Sequence, residues 1–289
     1  MSETQAVPPE LSPHMAEYAQ RLAAIEPLRQ PAIRAAIAAL DLVPGSRGLD
    51  VGCGIGLHTC LLAEQVGARG HVTGLDRSAA FVHLAEQRAA EAGLGECTTF
   101  ELGDLTALEY EDGTFDWLWC NDALWPGPEQ MGCPTDDPLP VVRQFARVVR
   151  PGGTVALAYW SSQRLLPGYP ALEARLSATP QTYAPFQEGM RAELHCMRAL
   201  GWLQAAGLRE VRARTFVAEA QAPLDAVHRR ALEVTLDMFW GQARDEVNAE
   251  DWALFQRLRE PGSSHYLLEA PDYYAFVTYT LFTGTVPGR

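Results

Sequence analysis

The chain has 289 residues, 47% of them apolar, which suffices for one large α/β domain, alone or with an appendage, and for a core that needs no staples. A formal net charge of -13 argues against a surface built to neutralise phosphates, because nucleic-acid affinity comes largely from Lys and Arg releasing condensed counterions. The six cysteines (Cys53, Cys60, Cys97, Cys120, Cys133, Cys196) form no CxxC pair, which suits reduced thiols in a cytoplasm and leaves no metal site in view.

The opening stretch, MSETQAVPPELSPHM, is polar and proline-rich, so residues 1–15 are expected to be mobile and do not read as a signal peptide. No run of eighteen apolar residues occurs, and a soluble, cytoplasmic protein without a membrane span is expected. From Ala16 to Leu40, Ala, Leu and Ile recur at helical spacing before Pro44-Gly45 stops the pattern; residues 16–44 read as an N-terminal helical cover of one or two helices. Residues 45–289 read as the main domain. Strands are expected at 47–51, 71–75, 98–102, 115–120 and 154–159, with helices at 57–66, 79–92 and 139–149 between them. That alternation implies parallel strands joined by right-handed crossovers, with helices on both sheet faces. The rhythm then breaks at 160–189, an aromatic and proline-bearing insertion expected to be irregular and to cover an acceptor site. A helix at 190–206, a strand at 210–217, a second insertion at 221–270 containing two helices, and a final strand at 273–286 complete the pattern.

The decisive segment is GLDVGCGIG, Gly48 to Gly56, between a predicted strand and a predicted helix. Gly52, Gly54 and Gly56 let the backbone turn sharply and approach a ligand where a Cβ would collide. The dinucleotide fingerprint needs its third glycine three positions after the second, and from Gly54 that position is Leu57. Asp50 would also repel a pyrophosphate while suiting a ligand that carries an ammonium and a sulfonium. Two further carboxylates, Asp76 in HVTGLD and Asp104 in ELGDL, close the next two strands on the same sheet edge, the first placed to accept from ribose hydroxyls and the second within reach of an adenine amino group.

These residues, with the strand FDWLWCNDAL and the turn and strand of RVVRPGGTVAL, resemble the class I S-adenosylmethionine-dependent methyltransferases of the UbiE-like, type 11 group. The resemblance covers about Arg47 to Tyr159. It implies a Rossmann-like, doubly wound seven-stranded sheet, mostly parallel with an antiparallel last strand, and S-adenosyl-L-methionine as cofactor, leaving as S-adenosyl-L-homocysteine. It further implies that Gly52, Cys53, Gly54 and Gly56 cradle the methionine part beside Asp50, that Asp76 with Arg77 serves the ribose, that Asp104 with Leu105 borders adenine, and that Asn121-Asp122 lie at the methyl-transfer face. An Asn-Pro-Pro-aromatic element is missing after the fourth strand, where the chain continues Asn121-Asp122-Ala123-Leu124-Trp125-Pro126, which argues against adenine or glutamine as the acceptor.

Methyl transfer from a sulfonium is an in-line displacement whose donor already carries the electrophile, so the protein mainly aligns the acceptor and excludes water. Where a base is used, the candidates are Asp122, His58 and His195. Tyr18, Trp125, Tyr169, Tyr183 and Trp240 are the candidate wall of a small-molecule acceptor pocket, whereas Trp117 and Trp119 alternate along a strand as core residues do. Two alternatives stay open: a thiol-dependent arsenite methyltransferase, which needs Cys120, Cys133 and Cys196 to converge, and a non-catalytic module that keeps only cofactor binding.

Overall fold

The computed structural model of the chain describes residues 12–129, 132–179, 182 and 191–288. Seven strands form one sheet: β1 (Arg47–Val51), β2 (His71–Asp76), β3 (Thr98–Leu102), β4 (Phe115–Asn121), β5 (Val149–Arg164), β6 (Arg209–Gln221) and β7 (Tyr274–Thr285). Their order is β3-β2-β1-β4-β5-β7-β6. β1 to β5 pair in parallel, and β7 runs antiparallel between β5 and β6. This is the doubly wound, mostly parallel architecture that the strand and helix alternation implies. Chain order reverses beside β1, which lies between β2 and β4, and such a switch point opens a crevice at the carboxyl ends of the strands.

The period-2 alternation of β4 sorts its side chains between two cores. Trp117 and Trp119 point into one with α1 (Pro13–Ala38) and α2 (Leu57–Val66), whereas Leu118 and Cys120 point into the other with α4 (Pro138–Val148). The remaining α-helices among the described residues are α3 (Ala79–Glu91), α5 (Pro170–Ser177), α6 (Ala199–Ala205), α7 (Ala226–Trp240) and α8 (Ala249–Arg259). Of these, α7 and α8 join the first core and α6 the second.

Four elements differ from expectation. The N-terminal cover is one 26-residue helix that runs through Pro27 and Pro31, because burial of Leu28, Ala32, Ile33, Ala36 and Ile37 on one face outweighs the two lost amide donors. Ser12 caps it, accepting the Met15 N–H; of residues 1–15, the first eleven lie outside the described residues. β5 does not end at Tyr159 but continues to Arg164, since β7 offers it an antiparallel partner as far as Phe276. The expected irregular insertion instead carries α5, whose Leu172 and Leu176 sink into the first core, and the helix expected at 190–206 is regular only from Ala199.

Gly48 on β1 sits opposite Trp117, and a Cβ there would lie 2.1 Å from the indole. The ring has no room to yield, being buried and tied by its Nε1 to Ser46 Oγ at 2.9 Å. Gly48→Ala should therefore destabilise the chain by about 1–3 kcal/mol, the usual cost of overpacking, read as a lower urea midpoint; an unchanged midpoint would show that the β1–β4 contact is slack.

Candidate functional site

At the switch point the chain leaves β1 through Gly52, Gly54 and Gly56, all with positive φ. The three glycines have different reasons. A Cβ at Gly52 would lie 2.3 Å from that of Ala123, and one at Gly56 2.8 Å from that of Ala85, so both serve close packing. A Cβ at Gly54 would meet nothing within 4 Å; its backbone faces open space and is the part of the turn free to receive a ligand.

That space is a cleft of about 1290 Å³. Its walls include Gly52, Cys53, Gly54, Asp76, Arg77, Asp104, Leu105, Asn121 and Asp122, so the structure brings together nearly all the residues proposed for the cofactor. Gly56 turns toward α3 instead. Asp76 braces the turn, accepting the N–H of Gly54 and of Ser78 at 2.9 Å each. Asp104 accepts the N–H and the hydroxyl of Thr106 at 2.7 and 2.8 Å, which fixes its carboxylate at the cleft mouth.

Asp50 is placed differently from expectation. It lies beneath the turn, 2% exposed, and its carboxylate accepts the Thr59 hydroxyl at 2.6 Å instead of lining the cleft. Burial pushes its carboxyl up to about 6, against the Thr59 bond that favours the anion.

Just after β4, Asp122 adopts φ 49°, a left-handed backbone that Asp tolerates better than most residues and that turns its side chain back toward β5 and β7. Its carboxylate accepts the Trp160 N–H at 2.9 Å, the Tyr279 hydroxyl at 3.0 Å and the Asn121 amide at 3.1 Å. Burial pushes its carboxyl up, opposed by the Trp160 N–H and by Arg29. Asn121, which lines the cleft, is 8% exposed, and its Oδ1 is buried beside the cleft without a hydrogen-bond partner among the described residues.

Sequence reasoning missed what stands behind Asp122. Arg29 of α1 is 6% exposed and touches the cleft. Its Nε donates to Glu26 Oε2 at 2.7 Å and its Nη1 to the Tyr279 hydroxyl at 3.3 Å. Glu26 Oε2 lies 3.6 Å from Nε2 of His58, which also lines the cleft. The loop of residues 126–136 was missed as well, although its Pro126-Gly127-Pro128 and Gly132-Cys133-Pro134 runs mark a segment with its own shape. Gly127, Pro128, Glu129 and Gly132 to Asp136 form the outer wall of the cleft.

The other candidates divide. Tyr18, stacked on Phe81 at 6.1 Å, and Trp125, whose Nε1 donates to the Asp122 carbonyl at 2.7 Å, both line the cleft. Tyr169 starts α5 and packs on the first core, and Trp240 is wholly buried there, so neither reaches the cleft. His195 caps a 3₁₀ turn, accepting the Met197 N–H, away from the cleft walls. Of the 160–189 insertion expected to cover an acceptor, the described residues between 160 and 179 do not line the cleft, whereas Tyr183 and most of 180–189 lie outside the described residues. Cys120 and Cys196 sit in the second core while Cys133 is on the loop wall. Among the described residues no cluster of His, Cys, Asp and Glu is arranged to hold a metal. Nor is any described helix long and apolar enough to cross a membrane.

A seven-stranded doubly wound sheet with a glycine turn, two strand-end carboxylates and an acidic cleft defines a Rossmann-like nucleoside-binding protein. A family model described as a methyltransferase domain matches residues 42–213, and the chain belongs to this family of class I S-adenosylmethionine-dependent methyltransferases. It is 35% identical over 116 residues to a demethylmenaquinone methyltransferase of Bacillus cereus, covering 40% of this chain and 45% of that one. It is 30% identical over 204 residues to phosphoethanolamine N-methyltransferase 3 of Arabidopsis thaliana, covering 68% of this chain and 36% of that one. The chain thus spans less than half the length of both relatives. In fold it is similar to the putative methyltransferase solved in complex with the Trm112 activator of Haloferax volcanii, with a TM-score of 0.58, 19% identity and coverage of 95% of this chain and 96% of that one.

S-adenosylmethionine is the cofactor of this family, and the cleft fits it: an open backbone at Gly54, an orphaned acceptor on Asn121, and carboxylates at Asp76, Asp104 and Asp122 facing a cationic ligand.

The raised Asp50 carboxyl makes a pH prediction. Its folded value of about 6 lies above the unfolded one near 3.9, so the stability it contributes is present at low pH and is lost as pH rises through this window. Asp50→Asn keeps the Thr59 acceptor but has no proton to lose. Between pH 4 and pH 7 the variant should gain on the parent by up to about 3 kcal/mol in urea unfolding; a pH-independent difference would mean that Asp50 is solvated.

Proposed function

We propose that the chain transfers the methyl group of S-adenosylmethionine to a small-molecule acceptor that enters the same cleft from the side of Tyr18 and Trp125. The observation that carries this reading is the continuity of the cleft: one space joins the glycine turn and its carboxylates to Asn121, Asp122, Tyr18, Trp125 and the 126–136 loop. At about 1290 Å³ it exceeds the 300–1000 Å³ of ordinary single-ligand pockets. The names of the two relatives, which specify demethylmenaquinone and phosphoethanolamine, support a small acceptor.

Gly52, Gly54, Asp76, Asp104 and Asn121 would hold the cofactor, which supplies an electrophilic methyl on a sulfonium. The protein's share is alignment and exclusion of water. Asp122 is fixed by three donors and so presents an oriented carboxyl edge toward which a cationic centre would be drawn. Tyr18 on α1 and Trp125, just ahead of the 126–136 loop, line the cleft from two elements and supply apolar surface for an acceptor ring or chain. Scattered cysteines remove the arsenite alternative's main support, because Cys120 and Cys196 are packed in a core away from the cleft. We place the reaction in the cytoplasm, as the reduced, buried thiols suggest.

Calorimetry with S-adenosylhomocysteine, S-adenosylmethionine and NAD tests the assignment. The two sulfur compounds should bind and NAD should not, because the acidic cleft repels a pyrophosphate. Gly54→Val should abolish binding, since its Cβ enters the open space; the φ of 55° also strains a β-branched residue, so circular dichroism and a urea midpoint are read beside the calorimetry to show that the variant is folded. Binding of NAD alone, or a valine variant that binds like the parent, would overturn the site.

A further inference from the structure

We propose that His58 and Glu26 form a base-and-orienter pair in which His58 takes the proton of a hydroxyl acceptor while Glu26 holds its ring, an inference that rests on the methyl-transfer reading above. His58 is the second residue of α2, directly after the glycine turn, and is 8% exposed. Its two ring nitrogens have different surroundings. Nε2 is buried with no hydrogen-bond partner, and its nearest charged neighbour is Glu26 Oε2 at 3.6 Å. Nδ1 has no partner among the described residues and is not closed off from solvent, and the opening beside it is the cleft that His58 lines.

Glu26 is suited to hold Nε2. Burial pushes its carboxyl up, but the adjacent His58 and Arg29 outweigh that and bring it down to about 2. An ionised carboxylate only accepts, so Nε2 carries the hydrogen and the lone pair of a neutral ring is left on Nδ1, toward the cleft. Arg29 fixes the carboxylate through Nε at 2.7 Å, which makes the order Arg29, Glu26, His58, cleft. Glu26 Oε1, buried and unpartnered, gives the carboxylate a second acceptor with which to follow the ring. Other charged groups around the imidazole are Asp50 from β1 and Asp122 after β4, both of which feel its charge. Among the described residues no group other than Glu26 is placed to hold Nε2, and this division of the two nitrogens is what general-base histidines use.

The acceptor class follows from the chemistry. A neutral amine offers its lone pair without help, whereas a hydroxyl oxygen is a weak nucleophile until its proton departs. In the step, the acceptor oxygen forms a bond to the methyl carbon as the carbon–sulfur bond breaks and its electron pair returns to sulfur. The hydroxyl proton passes to Nδ1 and then leaves through the cleft to water. Glu26 stays ionised throughout and is a positioning residue.

Nitrogen-15 NMR of histidine-labelled protein, with neither donor nor acceptor added, tests the pair directly, the His58 signal being assigned by its loss in His58→Gln. The neutral ring should carry its hydrogen on Nε2; an Nδ1–H tautomer would overturn the proposal, whether or not S-adenosylhomocysteine binds, so failure of the pair and failure of the methyl-transfer reading are separable. With phenol as the hydroxyl probe and phosphoethanolamine as the amine probe, His58→Gln should lower kcat for phenol about 10²- to 10⁴-fold, far more than it weakens S-adenosylhomocysteine binding, whereas 4-nitrophenol, which ionises without a base, should lose much less. Glu26→Gln should lower kcat with little change in KM. Methylation of the amine but not of the phenols by the parent enzyme, or phenol turnover that survives His58→Gln, would refute the assignment of the acceptor.

Discussion

A positive charge buried inside a protein must be compensated, and the Arg29 guanidinium sets the terms for much of this structure. It sits on α1, 6% exposed, and finds Glu26 on its own helix and the Tyr279 hydroxyl on β7. Tyr279 in turn donates to Asp122 at the end of β4. One charge therefore ties the N-terminal helix to the antiparallel strand and to the aspartate on the cleft wall. Removing it would leave Glu26 without its nearest cation and Asp122 without a neighbouring positive charge, so the helix is part of the site and not only a lid laid over it.

This arrangement divides the site between two parts of the chain. The turn at Gly52 to Gly56, Asp76, Asp104 and Asn121-Asp122 all fall within residues 42–213, the region that matches the methyltransferase family. Tyr18, Glu26 and Arg29 precede that region and Tyr279 follows it, yet all four contribute to the cleft or to the network behind it. The glycine turn and the strand-end carboxylates thus lie inside the family region, while flanking segments wrapped onto the same sheet edge add Tyr18 and Arg29 to the cleft walls and Glu26 and Tyr279 behind them.

That division also explains what could be read from the amino-acid order. The strand and helix alternation, the glycine turn and the acidic strand ends are local patterns, and a parallel sheet places every strand's carboxyl end on one edge, so Asp76, Asp104 and Asn121 meet once the alternation is recognised. The Arg29–Tyr279 contact joins residues 250 apart, which no periodicity encodes. Pro27 and Pro31 obscured the continuity of α1, because their cost is local and the burial that offsets it is not. Aromatic content misdirected the search at Tyr169 and Trp240, which fill the core under α5 and α7. A ring is equally apolar in a core and in a pocket, and only the fold distinguishes the two.

The central claim is that the β-strand ends, the 126–136 loop and the first turns of α1 bound one cleft that holds the cofactor. Amide hydrogen exchange with and without S-adenosylhomocysteine measures this most directly, because it reports every wall at once. The account predicts slowed exchange at residues 52–58, 76–78, 103–106 and 121–125, together with 14–22 on α1. Protection confined to other surfaces, or protection of the strand ends with α1 unchanged, would contradict it.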